Sequence, residues 1–298
     1  MEGERQLGEF LKARRSGLRP EDVGLATYGD RRRVPGLRRE ELAQLAGVSA
    51  SYYARLEQGQ SANASPEVLD AIARVLRLDE AGRQYLRDLA SGVRHRGPKR
   101  RPAAERITPA VRQLVASLGD VPALLLGRRG DVLAWNITGH ALFAGQLPRD
   151  APDLPGQRPN MARLVFLDAH TRELYADWPA KARAVAAGLR MSSGQHPDDA
   201  QLSDLVGELT VKSPEFALMW AGYRVKSGAE AAVYEMRHPL VGAMTVTQHT
   251  LRLERGQQVV LATTEIGSPS HEAMILLAHT AATGGAVSEA RQPLPDRE

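Results

Sequence analysis

Ser49, Ser51, Tyr52 and Arg55 place two hydroxyls, a phenol and a guanidinium within one short stretch. These groups suit hydrogen bonding to phosphate oxygens and base edges rather than bond-making. Arg39 and the run Arg31-Arg32-Arg33 lie just upstream. The run is either a solvated loop or a grip on flanking phosphates and a minor groove. A second group lies in the C-terminal half, where Trp135, Phe166, Trp178, Phe216 and Trp220 accompany Asn136, Arg163 and His238. Apolar rings with a few polar anchors suit either a packed core or the lining of a pocket for a small apolar molecule. Arg163 offers a planar fork for a carboxylate or a plain surface salt bridge.

Signatures of bond-making chemistry are missing. The chain contains no GxGxxG, Walker, GxSxG or HExxH motif; His271-Glu272 opens the last but lacks its second His. The 8 His are scattered and Cys is absent, which removes disulfides and thiolate metal sites. Neither an enzyme nor a metal or cofactor is expected, apart from a bound apolar ligand.

The recognition residues need a scaffold, and residues 36–59, "GLRREELAQLAGVSASYYARLEQG", supply one. Leu42, Ala43, Leu45 and Ala46 recur at helical spacing and predict an apolar stripe. Gly47 suits the left-handed stop of that helix. Ser49 then suits the N-cap of a second helix through Glu57, with Tyr53 and Leu56 turned inward. Two short helices joined by a Gly turn form a helix-turn-helix, whose second helix enters the DNA major groove. Ser49, Ser51, Tyr52 and Arg55 are the positions left facing outward. Arg55 is the expected base reader at guanine O6 and N7, Tyr52 a phosphate contact, and the two Ser set the helix N-terminus on backbone or base.

The same wording resembles the Xre, lambda-repressor-like helix-turn-helix, in its MmyB-like branch of bacterial regulators. Two positions depart from that pattern: Arg38 stands where a capping Thr is usual, and Arg39 where Gln is usual. The lost cap costs about 1 kcal/mol, partly offset by Glu40 and Glu41 in the first turn. Arg39 is expected to grip phosphate.

At 298 residues the chain has room for two domains. Residues 1–106 carry 21 Lys and Arg against 15 Asp and Glu, while the remainder carries 18 against 20. The excess positive charge therefore accompanies the DNA-reading stretch. No apolar run has membrane-spanning length and the N-terminus lacks a signal peptide, so a cytoplasmic protein with no membrane partner is expected. Five helices are expected in residues 1–90. Residues 91–108, "SGVRHRGPKRRPAAERIT", read as an exposed basic linker. They are either an idle tether or an extra phosphate contact. The second domain, 109–283, opens with a helix near Thr108-Pro109. Two strands flank "GRRGD", a mainly helical region follows, then three strands broken at His238-Pro239 and Arg255-Gly256, then a helix from Ser270 to His279. Residues 284–298 are expected to be a disordered tail. The fold class is multidomain, with an all-α domain followed by an α+β domain carrying a five-stranded antiparallel sheet.

"RPNMARLVFLDAHTRELYADW", "SPEFALMWA" and "HPLVG" resemble the MmyB-like ligand-binding domain, a PAS-like fold. The resemblance implies a transcription regulator that senses a small hydrophobic, fatty-acid-like metabolite. As a homodimer it would read an inverted-repeat operator in double-stranded DNA. The competing reading is a constitutive DNA-binding protein whose C-terminal domain docks or dimerises.

Overall fold

Helix α1 (Glu2–Ser16) carries Leu7, Phe10 and Leu11 at helical spacing, and all three are buried. A computed structural model describes residues 2–25, 36–60, 64–92, 105, 107–154, 156, 158–222, 231–253 and 256–289. Arg31, Arg32 and Arg33, together with most of the expected linker, lie outside these residues. A 3-10 turn (Pro20–Val23) follows α1. Helices α2 (Arg39–Ala46) and α3 (Ala50–Glu57) then form the motif. Ser65 caps α4 (Pro66–Val75), with Pro66 at its first position. Asp79 accepts from Gly82 N at 2.8 Å at the start of α5 (Glu80–Gly92). The core of this unit joins Phe10, Leu42, Tyr53, Leu56, Ile72 and Tyr85, and Phe10 meets Tyr85 edge-on at 5.1 Å. Each such side chain contributes about 1.5–3 kcal/mol on full burial. Leu45 is the exception to the expected stripe, being 40 % exposed on α2. It lies next to the buried positions Leu42 and Ala46 but beyond the edge of the face they define.

Beyond the linker, Thr108 caps α6 (Pro109–Ser117), and strands β1 (Ala123–Leu126) and β2 (Val132–Trp135) follow. Helices α7 (Ile137–Ala144), α8 (Met161–Leu167), α9 (Ala169–Leu174), α10 (Trp178–Gln195), α11 (Ala200–Lys212) and α12 (Pro214–Ala221) fill the middle. Strands β3 (Ala231–His238), β4 (Gly242–Arg252) and β5 (Gln258–Thr263) complete an antiparallel five-stranded sheet in the order β2-β1-β5-β4-β3. Along β4, Met244, Val246 and Gln248 point to one face and are buried, as period-two alternation requires. Helix α13 (Pro269–Glu289) runs beyond the expected end at His279, so the first part of the expected disordered tail is helical.

The chain divides into two compact units whose bounds differ from the expected domains. One holds Met1–Ala103 with Ala186–Ser227, the other Ala104–Val185 with Gly228–Glu298. Within the first unit the reason is local. Met191 on α10 joins the core of the motif helices, and Gly194 lies so near Tyr85 that an added Cβ would stand 2.4 Å from its ring. In the second unit Glu105, at the end of the expected linker, accepts from Arg128 N at 3.0 Å and pairs with its guanidinium at 3.4 Å. That end is therefore anchored rather than loose. Among the described residues no helix is long and apolar enough to cross a membrane.

Candidate nucleic-acid interface and ligand site

The turn between α2 and α3 is built as its residues dictate. Gly47 adopts φ +69°, Val48 N donates to Ala43 O at 3.0 Å, and Val48 packs half-buried against the core. Ser49 Oγ accepts from Tyr52 N at 3.1 Å, the expected N-cap. With Tyr53 and Leu56 buried, Ser49, Ser51 and Arg55 are exposed and Tyr52 half-exposed on the other side of α3. Ser49 and Ser51 hydroxyls stand 3.2 Å apart, so one donates to the other. The Arg38 side chain gives α2 no cap, but the other arm of a capping box is present, the Glu41 carboxylate accepting from Arg38 N at 2.8 Å.

Glu57, at the end of α3, organises the charges behind this face. Its fully buried carboxylate accepts from Arg15 Nε at 2.9 Å and Nη2 at 2.7 Å, a two-pronged pair. Arg15 also donates to Leu37 O at 2.6 Å. Arg39 adds Nε and Nη2 contacts at 3.2 and 3.1 Å, so the residue expected on phosphate is first committed to Glu57. Its side chain stays 41 % exposed, which leaves its remaining edge toward solvent. Burial pushes the Glu57 carboxyl up, but hydrogen bonds from Arg15 and Arg39 outweigh this and hold it below the usual carboxylate range. Sequence separation hid this cluster, although Glu57 lies on the apolar side of α3 beside Tyr53 and Leu56.

The expected ligand residues are divided between the two units. Phe216 and Trp220 belong to the first unit. They stack on each other at 5.4 Å, and the Arg190 guanidinium covers the Trp220 ring at 4.0 Å while donating to Trp220 O. The remaining candidates lie in the second unit. Asn136 is spent on structure: its Oδ1 accepts from Gly139 N and Ala123 N, and its Nδ2 donates to Val121 O and Gly119 O. All four amide hydrogen-bonding positions are used, which leaves none for a ligand. His238 donates from Nε2 to Ala141 O at 3.0 Å and accepts from Leu240 N at 3.3 Å, so both ring nitrogens are occupied. Burial holds its imidazole below the usual pKa. Arg163 lies exposed on α8. Trp135 Nε1 donates to Arg149 O at 2.7 Å and its ring leans on His140. Phe166 meets Trp178 edge-on, Trp178 Nε1 donates to Val165 O, and Arg172 covers the indole at 4.0 Å.

The notable polar cluster of this unit is one that motif reading passed over. Lys181 on α10 is buried and donates to Gln248 Oε1 on β4 at 2.7 Å. Gln248 Nε2 donates in turn to the buried Tyr175 hydroxyl at 3.0 Å. The ammonium lies 5.1 Å from the ring centroids of both Tyr175 and Tyr234, which meet edge-on. Burial lowers the Lys181 pKa to about 8 and raises that of Tyr175. Cation–π contacts contribute about 0.5–2 kcal/mol each, whereas desolvating an ammonium costs several kcal/mol. The cluster is therefore held by groups that only partly offset its charge. A signal was present: Lys181 shares the buried stripe of α10 with Trp178 and Ala182, and Gln248 continues the inward alternation of Met244 and Val246.

Against known families, residues 107–277 match the model described as "MmyB-like transcription regulator ligand binding domain", and residues 6–86 match one described as "Helix-turn-helix domain". No curated protein matches the chain.

Proposed function

The chain belongs to the MmyB-like transcription regulators, and from that premise we propose that it binds an inverted-repeat operator as a homodimer and releases or tightens it according to ligand occupancy. The observation that carries the reading is the outward face of α3, where Ser49, Ser51, Tyr52 and Arg55 stand together opposite the buried Tyr53 and Leu56. Arg55 reads guanine; Tyr52 and the solvent edge of Arg39 hold phosphates. One such helix spans few base pairs, and a twofold pair with half-sites about one helical turn apart supplies the specificity.

A ligand moves this equilibrium only if it binds two states of the regulator unequally. The ligand is a small hydrophobic metabolite of fatty-acid-like character, the protein acts by binding rather than as an enzyme, and its DNA partner places it in the cytoplasm. The test combines genome-wide footprinting with mass spectrometry of molecules that co-purify with the full chain, followed by operator titrations with and without each molecule. A palindromic footprint and a ligand-dependent shift in operator affinity are expected. Footprints without a shared sequence overturn the DNA reading. An operator affinity indifferent to every co-purifying molecule leaves a constitutive DNA-binding protein with a docking domain instead.

A further inference from the structure

We propose that Lys181, Tyr175 and Gln248, walled by Tyr234, form the anchoring subsite for a single carboxylate on the ligand of this domain. The inference rests on the ligand-sensing reading and adds the chemistry of the ligand's polar end.

The argument is a count of donors and acceptors. Three elements deliver the groups: α10 brings Lys181, β4 brings Gln248, and the segment after α9 brings Tyr175. That segment is fixed against the edge strand, where Tyr175 bridges to Met236 and Ala176 N donates to Glu235 O at 2.9 Å. The Gln248 amide is used at both ends, its oxygen by Lys181 and its nitrogen by Tyr175. Because the Tyr175 oxygen already accepts, its own hydrogen is left to donate. The Lys181 ammonium holds two further hydrogens beyond the one given to Gln248. Among the described residues no acceptor takes these three hydrogens, and no carboxylate pairs with Lys181, while the rings of Tyr175 and Tyr234 stand 5.1 Å from the ammonium. Buried cations are ordinarily paired. A donor-rich, acceptor-poor cluster around one positive charge is complementary to one negative charge with two oxygens.

The charge count also sets the class. With one ammonium and otherwise neutral walls, a carboxylate is balanced, while a dianionic phosphate is left half-compensated. A neutral alcohol or ester leaves the ammonium without a counter-charge. The rest of the ligand is apolar in this reading, since the Tyr rings bounding the cluster offer hydrocarbon edges.

The test uses the full chain and two acid–alcohol pairs of different shape: dodecanoate with dodecan-1-ol, and 2-naphthoate with 2-naphthalenemethanol. Affinities are read by calorimetry for the wild type and for Lys181→Met and Tyr175→Phe, each first checked for a native circular-dichroism spectrum. Methionine is unbranched and one heavy atom shorter than lysine, and it removes a buried charge, so the variant is expected to fold. At least one acid should bind the wild type more tightly than its alcohol. Lys181→Met should weaken that acid by about tenfold to a hundredfold while leaving the alcohol within about threefold, and Tyr175→Phe should weaken the acid by about fivefold. Equal losses for acid and alcohol, an acid indifferent to Lys181→Met, or a wild type that binds neither acid overturns the proposal. Operator affinity measured on the same samples separates the two readings. An acid that binds through Lys181 without moving operator affinity sinks sensing and leaves the anchor standing. An alcohol that matches its acid and still moves operator affinity does the reverse.

Discussion

Replacing Glu57 with Gln keeps the shape of the side chain and removes the charge that ties α1, α2 and α3 together. The carboxylate is fully buried and Arg15 is 11 % exposed, so the pair of contacts at 2.9 and 2.7 Å behaves as a buried ion pair. Breaking such a pair by neutralising one partner costs about 3–5 kcal/mol, because the other charge stays buried without compensation. The Arg39 contacts, longer and 41 % exposed on the arginine side, add about 0–1 kcal/mol after solvent screening. The expected loss is thus about 3–5 kcal/mol, a Tm lower by on the order of 10 °C, with Arg39→Ala losing no more than about 1 kcal/mol. Urea and thermal unfolding of the full chain at neutral pH measure both. Acid provides a second arm. The Glu57 carboxyl sits below its usual range in the folded state, so its contribution is complete above the ordinary value of about 4.3. That contribution is lost as pH falls through the lowered one. The gap between wild type and Glu57→Gln should narrow on acidification. A Gln variant within about 1 kcal/mol of wild type at pH 7, or a gap that ignores acid, refutes the reasoning.

Arg55→Ala removes an exposed side chain, so folding should be untouched while operator binding weakens by about 1–3 kcal/mol and preference relaxes at one base pair. Equal weakening on every DNA sequence in a binding-site selection would reassign Arg55 to phosphate. Ser49→Ala deletes the cap on Tyr52 N and should cost about 1 kcal/mol of stability in urea; a cost near zero would mean that water serves the cap equally well. Asn136→Asp turns two donors into acceptors facing the carbonyls of Gly119 and Val121, and should destabilise by about 2–4 kcal/mol in thermal unfolding. A variant of native stability with altered ligand affinity would restore Asn136 to the ligand.

The parts of this molecule that were legible in its sequence are those whose cause is local. Gly47, the Ser49 cap and the spacing of Tyr53 and Leu56 act within a few residues, so the motif and its outward face follow from pattern alone. The strands likewise announce themselves through alternation between Ala231 and Thr263. What escaped is long-range pairing. Glu57 meets Arg15 across 42 residues and Lys181 meets Gln248 across 67, and neither partner's type singles out the other. Asn136 and His238 present the opposite case. A lone polar residue amid apolar neighbours looks like a ligand anchor, yet their partners are backbone groups, which every residue carries and no sequence displays. Among the aromatic candidates Phe166, Trp178 and Phe216 are buried while Trp135 and Trp220 are half-buried, and pattern is silent on grouping, since Phe216 and Trp220 fall in a different unit from Trp178.

The seating of Met191 in the core of the N-terminal helices and of Gly194 against Tyr85 has a practical corollary. Anyone cutting the gene at the basic stretch near residue 100, to isolate a small DNA reader, would discard Ala186–Ser227 along with everything else downstream. The shortened product would show water a bare patch around Tyr85 that the intact polypeptide keeps dry. Poor solubility of such a fragment would reflect where the scissors fell and not a defect in the reader itself.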